Sequence, residues 1–160
     1  MTSGLYGNWG AINVHLRNLQ RANYKDKVLK PIGELIAQRV RQNIMQQRLA
    51  FEPLVEEYLS RKIAQGYDSR ILAKTETFVD AIEVKDIQSS GNSFNVIVGV
   101  KDGSEQESGI SLEELSYYIE YGTDRQPARY PFTLSWEEMR GRVTNETIDL
   151  IKVTLQEAIR

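Results

Sequence analysis

The chain has no cysteine, one histidine and four prolines in 160 residues. Without cysteine there are no disulfides, no thiolate metal sites and no cysteine nucleophiles, a usage compatible with a cytosolic home. The single histidine, His15, leaves a transition-metal site to carboxylates alone, which suit harder cations. Its weakly patterned surroundings make it an ordinary surface or partly buried side chain. No run approaches the ~20 apolar residues that span a bilayer. The opening MTSGLYGNWGAINV lacks the charged-then-apolar order of a signal peptide. Neither sign of charge dominates, with 20 Lys and Arg against 22 Asp and Glu and a net charge of −2. That balance argues against tight duplex-DNA affinity but permits a protein that lets DNA pass. Phosphate-loop, dinucleotide and nucleophile-elbow motifs are all absent, so no cofactor and no enzymatic activity are expected.

What is present is periodicity. Three glycines in residues 1–10 suggest a mobile arm over 1–11, and Ile12, Leu16 and Leu19 hint at a helical turn. Val28, Ile32, Leu35, Ile36, Val40, Ile44, Met45 and Leu49 then recur at spacings of three and four, the apolar face of a long helix. Pro31 is tolerable near a first turn, where its missing N–H is an orphan anyway, so the helix is predicted to begin at 27–30. A second helix is predicted to open at Phe51-Glu52-Pro53, with Leu54, Val55, Tyr58, Leu59 and Ile63 as its stripe and Gly66 as its C-cap.

From Ala81 the period changes to two. Ile82 and Val84, a turn cluster at 89–92, and Phe94, Val96, Val98 and Val100 predict a β-hairpin with one buried face. Residues 101–109 form an acidic exposed loop, whose Asp102, Glu105 and Glu107 do not follow the EF-hand ligand order. Ser111-Leu112-Glu113-Glu114 and Ser135-Trp136-Glu137-Glu138 read as capping boxes. The first opens a short helix that Gly122 ends. The second opens a C-terminal helix, with a possible kink site at Gly141. The predicted fold is α+β, one domain over 1–160, with long N-terminal helices and a C-terminal helix packed on a small antiparallel β-hairpin sheet.

The paired acids Glu56-Glu57, Glu113-Glu114 and Glu137-Glu138 sit in predicted first helical turns, where carboxylates favour the helix dipole. Catalysis by Glu113, Glu114 or Asp124, in a small hydrolase or a host-directed factor, is the alternative reading of these acids. A nucleic-acid module using Arg39, Arg41, Arg48 and Lys62 is a third, opposed by the net acidity. Between Tyr117 and Trp136 the chain is different in kind. Tyr117, Tyr118, Tyr121, Tyr130, Phe132 and Trp136 crowd into one short span with Arg125 and Arg129. Two readings stay open. One is a core corner with Tyr118 and Phe132 inside. The other is a contact surface, since Tyr, Trp and Arg dominate protein–protein hot spots. In the second, Arg125 and Arg129 fork onto a partner's carboxylate and Pro127 and Pro131 stiffen the connection.

The order of elements together with Tyr118-Ile119-Glu120-Tyr121-Gly122-Thr123, followed by Pro127-Ala128-Arg129 and Pro131-Phe132, resembles the tail-completion and head–tail joining (virion morphogenesis) proteins of tailed bacteriophages. Ile71-Leu72, Thr75 and Ile82 match an earlier family segment, and the resemblance covers about residues 12–160. Glu76 stands where the family commonly has glycine, Tyr130 is an insertion, and Leu134-Ser135-Trp136 replaces a further Pro-Ala. The resemblance implies a virion protein of the tail or neck, made in the host bacterial cytoplasm. It would form a homo-oligomeric ring, expected to be sixfold, against a neighbouring tail terminator, tube or head-connector protein. DNA would pass without specific binding, and no membrane would be involved. The implied contact residues are Tyr117, Tyr121, Arg125, Arg129, Tyr130 and Trp136. The implied framework is Tyr118, Glu120, Gly122, Thr123, Pro127, Pro131 and Phe132, with Glu120 expected to pair with Arg129 across the reversal.

Overall fold

The computed structural model describes residues 23–72, 77–90, 93–102 and 109–159. The predicted arm, His15, the Thr75–Glu76 segment, the hairpin tip at 91–92 and most of the acidic loop lie outside the described residues.

A π-helical turn, Lys25–Leu29, runs directly into α1, Lys30–Met45. The helical backbone thus starts upstream of the predicted point and passes through Pro31. The π turn explains how. Lys30 donates to the carbonyl of Lys25, five residues back, and the ladder changes from π to α spacing where Pro31 has no N–H to give. Residues 51–55 are not helical, and α2 is Glu56–Ala64, so Pro53 precedes that helix instead of opening it. Its end is as predicted: Gly66 has φ +79°, with Gly66 N–H bonded to Ile63 O and Tyr67 N–H to Lys62 O, the paired bonds of a Schellman motif. A single turn, α3 (Thr77–Asp80), leads to β1 (Ile82–Ser90) and β2 (Ser93–Val100). They are followed by α4 (Leu112–Tyr121) and the long α5 (Pro131–Ile159). The fold is α+β, with five α-helices and a two-stranded antiparallel sheet among the described residues.

The hairpin pairs Ile82 with Val100, Val84 with Val98 and Ile87 with Val96, with a bulge between Val84 and Asp86. One extra residue shifts side-chain phase. The apolar set therefore passes from even positions to Ile87, which simple alternation does not anticipate. The sheet lies on α1, and Gly33 permits the approach: a Cβ there would stand 2.7 Å from a Val84 methyl and 3.2 Å from Val96.

Val40, Ile44, Phe78, Val79, Ile82, Val100, Leu112 and Ile119 form the main core, and a smaller cluster of Ile32, Met139 and Val143 joins α1 to α5. A polar tie runs beside it. The buried Asn43 donates to Ser135 Oγ (3.0 Å) and Glu138 Oε2 (2.8 Å), and Arg39 forks onto Glu138. Ser135 and Glu138 are thus interior to α5, and the second predicted capping box is not a cap. For the same reason Glu137 and Glu138 lie away from any helix start. α5 continues without a break through Gly141.

Candidate interaction surface

The reversal between α4 and α5 is built from backbone bonds upward. Ser111 Oγ accepts from Glu114 N–H (3.1 Å), capping α4. The reciprocal half of the predicted box is missing, because the Glu114 carboxylate takes the Tyr118 hydroxyl instead. That bond, with the carboxylate's charge, raises the Tyr118 pKa above the ordinary phenol value. Gly122 ends the helix with φ 79° and ψ 177°. A Cβ there would fall 2.8 Å from Ala128 N and 3.0 Å from Gln126 O, so glycine is required by conformation and by close approach alike. Thr123 and Gln126 exchange backbone hydrogen bonds (2.8 and 3.2 Å), closing a tight turn with Asp124 and Arg125 at its tip. Arg129 N–H then returns to Ile119 O at 2.9 Å.

Glu120 does the work expected of an Arg129 partner, but with different donors. It is buried and accepts from Phe132 N–H (3.0 Å), Thr133 N–H (3.0 Å) and Thr133 Oγ1. No Glu120–Arg129 pair forms. The N-terminus of α5 is thereby fully accounted for. Pro131 has no N–H, Phe132 and Thr133 donate to Glu120, and Leu134 donates to Tyr130 O (2.9 Å). An anion at a helix N-terminus also meets the positive end of the dipole. Tyr130 has φ 51°, a left-handed value that turns the chain onto Pro131.

The structure divides the predicted contact residues. Tyr117 and Tyr121 are exposed, one turn apart on α4, with ring centroids 4.8 Å apart. Tyr130, Trp136 and Arg125 are also exposed. Arg129 is not; it is buried, and its Nε donates to Glu52 O at 3.2 Å. Tyr118 is half-buried. Phe132 packs against the core, as the core-corner reading has it. Phe132 thus belongs to the core side of the reversal, while Tyr117, Tyr121, Arg125, Tyr130 and Trp136 face solvent.

An open groove of about 360 Å³ runs beside the aromatic pair, between the Val98–Gly99 stretch of β2, α4 and the first turn of α5. Tyr117, Tyr121, Phe132 and Glu113 line it. Sequence patterning also missed an exposed apolar face on α2, where Val55, Tyr58 and Ile63 point outward and only Lys62 is buried. The predicted stripe of α2 is real in the sequence but does not face the core.

The alternative sites are dispersed. Glu113 pairs with Lys85 (2.9 Å), which also reaches Asp102 (2.5 Å); these bonds, Asp102 first, raise the Lys85 pKa. Glu114 holds Tyr118, and Asp124 sits at the turn tip. Of the four basic residues, Arg39 holds Glu138 and Lys62 donates to Arg70 O (2.6 Å). Among the described residues no helix is long and apolar enough to cross a membrane. No family model, curated protein or solved structure matches the chain.

Proposed function

We propose that this protein is a structural subunit of a tailed-bacteriophage virion, acting in tail completion and head–tail joining as a ring-forming subunit without catalytic activity. The observation that supports this reading best is the exposed Tyr117–Tyr121 pair, with Tyr130 and Trp136, around a reversal whose backbone donors are tied down. A surface held in one shape loses little entropy on docking, and exposed aromatics supply contact energy. Ring contacts are heterologous and close by rotation, so distinct patches on one subunit, such as the α4 aromatics and the α2 face, suit them. The neighbours would be a tail terminator, tube or head-connector protein, in a virion assembled in the host cytoplasm, with DNA passing unbound.

Mass photometry and negative-stain microscopy of the purified protein, alone and with its neighbouring tail protein, test the reading. Closed rings of one size are expected. A strictly monomeric protein that never enters assembled particles overturns it.

A further inference from the structure

The outer edge of β2 is uncovered. Lys101 N–H bonds to Ala81 O across the hairpin (2.8 Å), so by alternation the odd residues of β2 face β1. Phe94, Val96 and Val98 therefore turn their N–H and C=O groups outward, where no backbone bond among the described residues reaches them. A two-stranded sheet is marginal alone, and an open strand edge is a template for a further strand. The edge is flanked at both ends. Tyr24 meets Phe94 at one end, with ring centroids 6.2 Å apart, and the groove lined by Val98, Gly99, Tyr117 and Tyr121 lies at the other.

The chain enters the described structure beside that edge. Asn23 caps the first helical turn: its Oδ1 accepts from Asp26 N–H (3.1 Å) and its carbonyl from Lys27 N–H (3.0 Å). An N-cap marks a helix start, so the 22 residues before it join the fold where the π turn packs on β2. Within them Ile12, Val14 and Leu16 alternate with Asn13, His15 and Arg17, the period of a half-buried strand. This pattern competes with the helical spacing of Ile12, Leu16 and Leu19. The same segment carries Arg17 and Arg21 and no acidic residue, in a chain of net charge −2, so its charge complements that of the fold it joins.

We infer that residues 12–17 of the same chain add to the outer edge of β2 as a third, antiparallel strand, with Leu16 opposite Phe94, Val14 opposite Val96 and Ile12 opposite Val98. This register sets the three apolar side chains on the face of Val96 and Val98, the one that meets Gly33 of α1 and the main core, and a slip by one residue would turn them to solvent. It leaves residues 17–22 as a return of ordinary length to Asn23. Running back from Ile12, the chain places Trp9 about 10 Å beyond Val98, at the groove beside Tyr117 and Tyr121. The open edge, the entry point and the alternation carry the inference, which does not depend on the ring reading.

The cysteine-free chain allows a direct test in the whole protein. Asn13 and Ile97 oppose each other in this register as a non-hydrogen-bonded pair, about 4.5 Å between Cα atoms and within disulfide reach. Under mild oxidation the Asn13→Cys, Ile97→Cys variant should form a bridge within one chain in most molecules, mapped by mass spectrometry. Asn13→Cys paired with Gln88→Cys, exposed on β1, should form at least fivefold less. Hydrogen exchange gives a second readout that wild type supplies unaltered. Val96 and Val98 amides should exchange at least tenfold more slowly in wild type than in Val14→Pro, whose ring removes a ladder donor. Asn95 and Gly99 amides, which face β1, should be alike in both. A bridge that forms between chains assigns the edge to a second copy and overturns the same-chain strand. Bridges at both pairs alike or at neither, or equal exchange of Val96 and Val98 in the two proteins, leave the segment no place on β2 and overturn the inference.

Discussion

At the scale of single residues, the reversal depends on two positions of positive φ with opposite chemistry. Gly122 has no alternative, because any Cβ meets the Ala128 backbone. Gly122→Ala is expected to destabilise the protein by about 2–3 kcal/mol, from the backbone conformation plus the clash, read as a lower urea midpoint at unchanged m-value. Tyr130 holds a left-handed φ without being glycine. The strain and the flexibility of glycine act against each other there. Tyr130→Gly should therefore leave the midpoint within about 0.5 kcal/mol of wild type, whereas Tyr130→Val, β-branched at the same φ, should lower stability by about 1–2 kcal/mol. Equal effects of Gly and Val would show that φ is not what position 130 demands.

At the scale of elements, the joint between α4 and α5 is a carboxylate on one helix serving the N-terminus of the next. Removing it leaves two part-buried backbone donors, Phe132 N–H and Thr133 N–H, without their acceptor, at a cost of up to about 1–3 kcal/mol each. Glu120→Ala is expected to cost about 2–4 kcal/mol on that basis, with Glu120→Gln between it and wild type because one acceptor oxygen remains. Hydrogen exchange localises the effect: the first-turn amides Phe132 and Thr133 should lose protection first. Unchanged protection there would mean that the joint is held by the Tyr130 and Arg129 backbone bonds alone. In α5 itself a Cβ on Gly141 would meet nothing. Gly141→Ala should thus stabilise the protein by about 0.5–1 kcal/mol through helix propensity, a gain visible as a raised thermal midpoint.

The elements also show where sequence suffices. The 3.6 period of α1, the hairpin, the Gly66 and Gly122 stops and Pro131 at the start of α5 are local facts, each set by the conformations a residue permits. What local pattern does not contain is the partner. The apolar stripe of α2 predicts a buried face, but nothing in the stripe says whether another element will cover it. Pro53 resembles a helix-opening proline, yet the Glu52 carbonyl before it is held by Arg129, 77 residues away. Arg125 and Arg129 look alike in sequence. One lies at a turn tip, and the other is buried with its Nε on Glu52 O, a difference made by tertiary packing. The Glu120–Arg129 pair is the natural guess from charge alone; the orphan N–H groups of α5 compete for the same carboxylate and win because they have no other acceptor.

At the scale of the whole molecule, two ionic locks hold separate parts of the chain onto α1, and both titrate in acid. Asp68 grips Arg70, whose Nη1 in turn caps the Met45 carbonyl at the end of α1 (2.9 Å). The hydrogen bonds from the Arg70 side chain and backbone lower the Asp68 pKa from the ordinary 3.8 to about 2. Glu138, on α5, is lowered by its hydrogen bonds from Arg39 and then Asn43. Both are carboxylates whose folded pKa lies below the unfolded one. Their contribution is fully present above the unfolded values and is lost as pH falls through the folded ones. For Asp68 that window runs from 3.8 down to about 2. The thermal midpoint of wild type should therefore drop between about pH 4 and pH 2, the range in which such carboxylates take up protons. Asp68→Asn should start lower at neutral pH and fall less steeply, and the Asp68→Asn, Glu138→Gln double variant should be flatter still, because neither lock remains to be titrated. Curves that run parallel to wild type from pH 6 to pH 2 would place the acid sensitivity in other carboxylates and remove these two locks from the account of stability.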